Sequence, residues 1–552
     1  MSFGESSFTT STLPTSAPDD APASTTSPTT ASNSAAAHAA RNGAHPQSPR
    51  KPRSTAANPA ANGHAPARPK PAESAKRAAA RATSHQRGAR KNALETLAAL
   101  RTEVCEHYRP EVAAGAAPIR VMARMVQEII RQARERGLPE DAIATAVVNR
   151  TIGDVDLRRV SPIDDGPEFV SLADDMGLAL PGEMIGGQRA TGKTYRWIHQ
   201  RMLQNERALL ARGFDLRMYD LLGVGNPILR ELLAQGEQDD YGIALDWKNV
   251  YLSLGALDGL DKFWRGWGFS LRQRGISQIG VVFPAPSFNV PEWQAVSLGY
   301  RLHRLTTRPE DHFKVTPAML RAALDAHDDL RAFYLTVSNN PTAFAYSYDE
   351  LRALFEVVRR AQRAGRELLV VADLAYVGTG DPAQDRHRMR AFGDAGILPQ
   401  SVLVHSFSKT HTLTGDRCGW VAFPDGQLAA AVNTGWINTV ASLPAEWQLR
   451  YTAYVQLFRE RPELSERIRA LYAHRRARLI EQLRHLNAER RLFAQVNLDD
   501  GGTVYNWSQL APGQDAFSLF AQSGIAGVPG GGFGYRDDFI RFSIGCVPVP
   551  AA

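Results

Sequence analysis

Residues 401–423 read SVLVHSFSKTHTLTGDRCGWVAF. An apolar run, residues 402–404, leads to Ser406. A polar turn carrying Lys409, Gly415 and Arg417 follows, and a second apolar run, residues 418–423, resumes. A short segment that is apolar on both alternating faces, bounded by Ser and Gly, predicts a strand buried on both sides. Open parallel sheets bind ligands beyond the carboxyl ends of their strands. Ser406, Lys409 and Arg417 therefore stand at a candidate ligand site.

Other strands of the same kind lie upstream: NVYLSLG (249–255), QIGVVFP (278–284), LRAFYLTVS (330–338) and ELLVVAD (367–373). Amphipathic helices separate them, such as YDELRALFEVVRRAQRAG (348–365). Apolar strands alternating with helices predict an α/β fold with a mostly parallel sheet covered on both faces. Two further strand ends are polar. VSNNPTAFAYS places Asn340 after one strand, and VVADLAYVG places Asp373 and Tyr376 after the next. The chemistry of this set is coherent. A partly desolvated lysine amine loses basicity and becomes a carbonyl nucleophile. A core aspartate can pair with a protonated pyridine nitrogen and make the ring an electron sink. Asn and Tyr can hydrogen-bond a phenolate oxygen, and Ser with Arg can hold a phosphate.

SFSKTHTLTGDRCGW resembles the Ser-x-Ser-Lys…Gly-x-Arg-x-Gly signature of the class I/II, fold type I pyridoxal-phosphate enzymes, the aspartate aminotransferase superfamily. NNPTA is similar to that family's Asn-Pro-Thr-Gly, and DLAY to its Asp-x-x-Tyr, in the same order, over about residues 161–544. The resemblance implies that Lys409 forms the aldimine with pyridoxal 5'-phosphate and moves the proton at the substrate Cα. It implies Asp373 on the pyridine nitrogen, Asn340 and Tyr376 on the ring oxygen, and Ser406 and Arg417 on the phosphate. By the same resemblance, YLSLGALDGL places the backbone of Gly255 and Ala256 on the phosphate. FPAPSF places Phe288 against the ring, and MYDLLGVGNPILRELLA lets Tyr219 reach the phosphate of a partner subunit. VPGGGFGYRDDFIRFSIG places Arg541 on the substrate α-carboxylate, with Asn340 beside it. Ala343 stands where the family has glycine.

The function so implied is an aminotransferase moving the amino group of an α-amino acid to a 2-oxo acid through a quinonoid intermediate, in a homodimer with a shared active site. Two alternatives share the cofactor cradle. One is a decarboxylating, eliminating, cyclising or oxidising enzyme of specialised metabolism. The other is a transcription regulator that senses the cofactor. A third reading starts from IGGQRATGKTYR (185–196), where Gly187-x4-Gly192-Lys193-Thr194 spells a nucleotide phosphate loop. Such a loop needs a buried strand directly before it. The preceding DDMGLALPGEMI is broken by Pro181 and Gly182, so Lys193 and Arg189 are expected to be solvated.

The 552 residues divide by pattern. Residues 1–92 are rich in Ala, Pro, Ser and Thr and then basic, with 12 Lys and Arg against 4 Asp and Glu. They lack large apolar side chains and are expected to be a disordered tail. Residues 93–160 read as a helical appendage, 161–244 as the N-terminal part of a small domain, 245–445 as the large cofactor-binding domain, and 446–552 as a C-terminal α+β small domain. The net charge of +7 belongs to the tail, because the rest holds 52 basic and 53 acidic residues. That balance argues against nucleic-acid binding by the folded part. Cys105, Cys418 and Cys546 are widely spaced without a CxxC pair, so neither a disulfide framework nor a metal site is expected. The first basic residue is Arg41, unlike a secretory signal, and no apolar run approaches the ~18–20 residues of a membrane helix. A cytoplasmic protein is expected.

Overall fold

The computed structural model describes residues 71–153, 184–185, 188–189, 193–217, 219–412, 414–498 and 503–544. Three helices come first: α1 (Pro71–Ala113), α2 (Pro118–Glu135) and α3 (Glu140–Ala146), followed by the short strand β1 (Val148–Asn149). Helix α1 thus begins 22 residues inside the stretch expected to be a tail. Met184–Ile185 and Gln188–Arg189 pair as a two-stranded ribbon, and α4 (Lys193–Ala211) starts at the lysine of the phosphate-loop pattern. The central sheet contains no strand from that segment among the described residues, and the stretch before Met184 lies outside them.

After α5 (Pro227–Tyr241) the alternation expected from the sequence unfolds as β2 (Val250–Ser253), α6 (Ala256–Gln273), β3 (Gly280–Ala285), α7 (Val290–Ser297), β4 (Arg301–Thr306), α8 (Pro317–Ala326), β5 (Leu330–Thr336), α9 (Tyr348–Arg363), β6 (Leu369–Asp373), α10 (Pro382–Asp394), β7 (Ser401–Ser406) and β8 (Gly419–Ala422). The seven strands lie in the order β2-β8-β7-β6-β5-β3-β4, and β8 alone among them runs antiparallel to its neighbours. Strands β2, β3, β7 and β8 are buried at every residue, which is why they read as unbroken apolar runs. The covering helices show the complementary pattern. Helix α9 opens with a reciprocal cap between Ser347 and Glu350 and buries Leu351, Leu354, Phe355 and Val358 on one face. Each such side chain, removed from water, contributes about 1.5–3 kcal/mol before entropy costs.

The smaller lobe contains α11 (Ala445–Glu460), α12 (Glu463–Arg490), β9 (Phe493–Gln495), β10 (Tyr505–Leu510), α13 (Ala516–Ser523), β11 (Ile525–Ala526), β12 (Val528–Pro529) and β13 (Phe539–Ser543). Four of its strands form an antiparallel sheet in the order β9-β10-β13-β12. The N-terminal helices are part of this lobe rather than an appendage to it. Leu97, Met122, Met125 and Ile129 share a core with Leu479, Leu519, Ile540 and Phe542. Strand β1 pairs with β11 in parallel, and Arg101 bonds the carbonyls of Ala146 and Ala521. The exposed side of α2 is knitted into Arg–Glu pairs, Arg131 with Glu128 and Glu135 and Arg134 with Glu140, so it offers no basic recognition face.

The segment expected to open the small domain divides between the two lobes among the described residues. Helix α4 sets Leu209 against Leu449 and Ala453 of α11, and α5 buries Leu229 and Leu233 in the core of the central sheet. The apolar face of a helix announces that it will be buried. It does not name its partner: α1 and α2 join the core of the smaller lobe, and α5 that of the central sheet.

Candidate active site

At the carboxyl end of the sheet, Asp373 closes β6 between Thr336 of β5 and Val404 of β7. Its Oδ2 accepts a 2.6 Å hydrogen bond from the Tyr334 hydroxyl, and its Oδ1 accepts from the Ala375 N–H at 3.0 Å. Burial raises the pKa of this carboxyl, while Tyr334, Ala375 and the field of His405 oppose the rise. Three residues on, the Tyr376 hydroxyl accepts from Asn340 Nδ2 at 3.1 Å and lies 3.0 Å from the Tyr505 hydroxyl. Burial, and then Tyr505, raise its pKa well above that of a free phenol.

Arg541 enters from β13 of the smaller lobe, 2% exposed. Its Nη1 donates to Asn340 Oδ1 at 2.9 Å and its Nη2 to the Thr151 carbonyl at 2.6 Å. Its guanidinium carbon lies 4.4 Å from the Tyr505 ring centre and 4.9 Å from that of Phe533. Nε is buried without a hydrogen-bond partner among the described residues, and no carboxylate stands among these contacts. A buried guanidinium satisfied by neutral oxygens is built to take an anion.

Lys409 sits on the helical turn Phe407–Thr410 directly after β7. Its amine donates to the Gly153 carbonyl, and its own carbonyl accepts from the Tyr472 hydroxyl at 2.7 Å. Gly153 has no room for a side chain, since a Cβ there would lie 2.2 Å from the Tyr505 oxygen. The two cations of the site thus converge on carbonyls two residues apart, Thr151 and Gly153.

The opposite end of the site forms at the start of α6. Gly255 caps this helix with φ +87°, and a Cβ at 255 would stand 2.4 Å from Arg417 Nη2. The guanidinium therefore lies over the turn whose next residue, Ala256, opens the helix. Free N–H groups and the positive end of the dipole favour an anion there. Asp258 braces the turn by accepting from the Leu254 N–H at 2.7 Å and from the buried Lys262 amine at 2.6 Å. Ser406 pairs in register with Gly419 of β8, and its hydroxyl contacts Ser408 Oγ at 2.8 Å and the Cys418 carbonyl at 3.1 Å.

The geometry thus assembles Lys409, Asp373, Tyr376, Asn340, Arg541, Ser406, Arg417, Gly255 and Ala256. Phe288 lies half-buried three residues beyond β3. Tyr219 stands apart from them, 63% exposed beside Leu221 and Leu222. Thr151, Gly153, Tyr505, Tyr334 and the Asp258–Lys262 pair were missed in the sequence. Thr151 and Gly153 follow a strand of only two residues, Val148–Asn149, which left no period in the sequence to mark them.

A family model described as aminotransferase class I and II matches residues 225–549, more than half of the chain. The chain is 32% identical over 206 residues to a probable aminotransferase of Mycobacterium tuberculosis, across 36% of this chain and 44% of that protein. It is 25% identical over 272 residues to an aspartate aminotransferase of Bacillus subtilis, across 48% of this chain and 65% of the other. An LL-diaminopimelate aminotransferase of Dehalococcoides mccartyi is 24% identical over 327 residues, 58% and 77% of the two chains. The chain spans about half the length of several of the curated relatives it matches. Among solved structures, an aminotransferase from Mycobacterium tuberculosis superposes with a TM-score of 0.55 at 20% identity, covering 79% of this chain and 94% of the other. An aspartate aminotransferase from Rhizobium meliloti gives 0.55 at 18% identity, with 78% and 92% covered. At these identities the structural likeness speaks for the fold.

Proposed function

Because the chain belongs to the class I and II aminotransferase family, we propose that it transfers the amino group of an α-amino acid to a 2-oxo acid. Members of this family use pyridoxal 5'-phosphate. The residues present suit that group. The Gly255 turn under Arg417 leaves a side-chain-free anion cradle, and Asp373 ends β6 with two donors holding its oxygens in place. When bound, the cofactor supplies an electron sink for negative charge developing at the substrate Cα.

In this reading Asp373 holds the ring nitrogen in its protonated form. Asn340 and Tyr376 hold the ring oxygen, and Phe288 lies against the ring. Ser406, Arg417 and the N–H groups of Gly255 and Ala256 hold the phosphate. Arg541 takes the substrate α-carboxylate with its fork of donors, steadied by Asn340. The Lys409 amine takes the proton from Cα and delivers it on the other side of the transfer. The convergence of Lys409 and Arg541 on the carbonyls of Gly153 and Thr151 carries the proposal. It sets a proton-moving amine and a carboxylate anchor on the same short backbone segment.

The proposal includes a homodimer in which Tyr219 reaches the partner's phosphate. Exposed Tyr219, Leu221, Leu222, Ile437 and Val440 support it, because Gly223 fits against the backbone of residues 436–441 and so gathers them on one face. A cytoplasmic location is proposed with it. Cys105 and Cys418 are buried free thiols, and no helix of the described residues is long and apolar enough to cross a membrane.

The test is the absorbance spectrum of the purified protein beside Lys409→Ala, then addition of amino acids with a 2-oxo acid acceptor. A visible band lost in the variant, with 2-oxo acid formed from one amino acid, is expected. Absence of the band after added cofactor overturns the reading. Carbon dioxide or ammonia in place of the paired oxo acid moves it to a non-transaminating reaction.

A further inference from the structure

The candidate active site takes the carboxyl end of the central sheet. A second cluster of chemically able side chains stands at the amino end. Strand β3 runs between β4 and β5, and its first residue, Gly280, is in register with Arg301 of β4 and Leu330 of β5. His303 lies two residues further along the edge strand β4. His327 caps the C-terminal end of α8, and Asp329 directly precedes β5. Gly280 keeps the gap between them clear, since a Cβ there would lie 2.8 Å from Asp329 Oδ2 and 2.9 Å from His303 Nε2. The missing side chain lets these two groups, 26 residues apart in sequence, meet across the strand at 3.1 Å.

His327 completes the group. His303, His327 and Asp329 each offer one ligand atom, and these atoms all lie within 4.8 Å of one another. The two imidazole ring centres are 4.0 Å apart. The His327 ring makes no hydrogen bond to another described residue, so its lone pair is open to an ion. All three residues are half-buried, held by the fold yet reachable by a small ion. The turn that carries two of them is fixed from behind. Arg366 donates to the His327 carbonyl at 3.1 Å and to the Asp328 carboxylate at 3.0 Å, and the Asp329 carbonyl accepts from the Gly280 N–H at 2.8 Å. The Asp329 carboxylate already draws a cation, because Arg301 Nε stands 3.5 Å from its Oδ2, on a side chain 59% exposed. An exposed arginine gains little from such a pair and can move into water when a stronger cation arrives.

We propose that His303, His327 and Asp329 bind a divalent ion of the zinc type, which clips the edge strand β4 to the turn between α8 and β5. Two imidazoles and one carboxylate suit zinc and its transition-metal neighbours, whereas magnesium and calcium take oxygen ligands. Zinc bonds of about 2.0–2.2 Å set tetrahedral ligand atoms roughly 3.4 Å apart. Atoms already within 4.8 Å reach that spacing by side-chain rotation. Three protein ligands leave the fourth position to water. The expectation of no metal site rested on the three cysteines, and this trio uses none of them. The inference does not depend on the transamination reading, because none of the residues invoked belongs to that site.

The test is calorimetric titration of zinc chloride into the metal-free holoprotein, purified without a histidine tag, in a buffer that does not chelate. Wild type is expected to show a saturable site in the micromolar range or tighter. His303→Ala and His327→Ala are each expected to lose that site or to bind at least about tenfold more weakly. Zinc should raise the melting temperature of wild type and leave that of both variants where it was. Zinc held by the cofactor phosphate or by other histidines survives both substitutions, so the difference between wild type and variant reads the proposed site. Absence of a saturable zinc site in wild type overturns the proposal, as does a site kept at wild-type affinity in either variant. Magnesium binding as tightly as zinc overturns it too. Should His303→Ala fail to fold, His327→Ala at the helix end decides, and unchanged affinity there overturns the proposal.

Discussion

The hydroxyl of Tyr334, two residues before the end of β5, donates to the Asp373 carboxylate on the neighbouring strand across 2.6 Å. Tyr334 is fully buried and Asp373 half-buried at the strand end, so the bond fixes the carboxylate from the protein side. A donor to a carboxylate favours its ionised form. Tyr334→Phe therefore lets the Asp373 pKa climb further in the direction burial already drives it. The expected outcome is a kcat/KM lowered about tenfold, the cost of one hydrogen bond to a charged group. The acid limb of the pH–rate profile should move to higher pH. A rate loss with an unmoved acid limb would assign Tyr334 to packing alone.

Gly255→Ala places a methyl group against the Arg417 guanidinium and forces an L side chain to φ +87°. Strain of about 1–3 kcal/mol at that turn should weaken cofactor binding by about tenfold to a hundredfold, read by absorbance titration. Lys193→Ala, in the phosphate-loop pattern, should leave the same titration unchanged.

Arg541→Lys keeps the charge and loses the planar fork. The KM for the amino acid should rise about tenfold or more while cofactor affinity holds. A KM left at the wild-type value would remove Arg541 from the α-carboxylate.

Leu221 and Leu222 are 80% and 58% exposed. Leu221→Asp with Leu222→Asp should shift the protein to monomer in sedimentation velocity and weaken cofactor binding, since Tyr219 would lose the partner phosphate. A dimer that persists would place the interface on another face.

His411 sits next to the lysine turn, with Nδ1 2.9 Å from Thr410 Oγ1 and its ring against Phe407 and Phe458. Burial, with the field of Arg469, lowers its pKa to about 3 from 6.5. Between those values the unfolded chain binds a proton that the native protein does not. Stability is therefore fully present above about pH 6.5 and is lost as pH falls toward the folded value, by about 1.4 kcal/mol per pH unit at most. His411→Asn should flatten that part of the stability–pH curve in denaturant titrations, whatever packing it loses.

The parts of this protein that spoke through the sequence were those where one local pattern had one physical meaning. Strands β5, β6 and β7 are buried and read as apolar runs, and the polar residue closing each fell at the site. Strand β4 was silent because it is an edge strand, and RLHRLT alternates between half-buried and exposed. Tyr334 was silent because a strand tyrosine reads as packing until its hydroxyl partner is seen. Thr151 and Gly153 follow a strand of two residues, too short to carry a period.

The bond from Arg101 to the carbonyl of Ala521 spans 420 residues of chain. Synthesis proceeds from the N-terminus at about 5–20 residues per second, so α2 leaves the ribosome about 20–80 s before the helix that completes its core. Throughout that interval Val121, Met122, Met125 and Ile129, buried in the finished protein, have no lasting cover. These early helices are among the last of the described elements to be secured, and the nascent chain carries the uncovered apolar face of α2 through most of its own translation. Depleting ribosome-associated chaperones should therefore cost this protein more yield than a form from which residues 71–146 are supplied in trans.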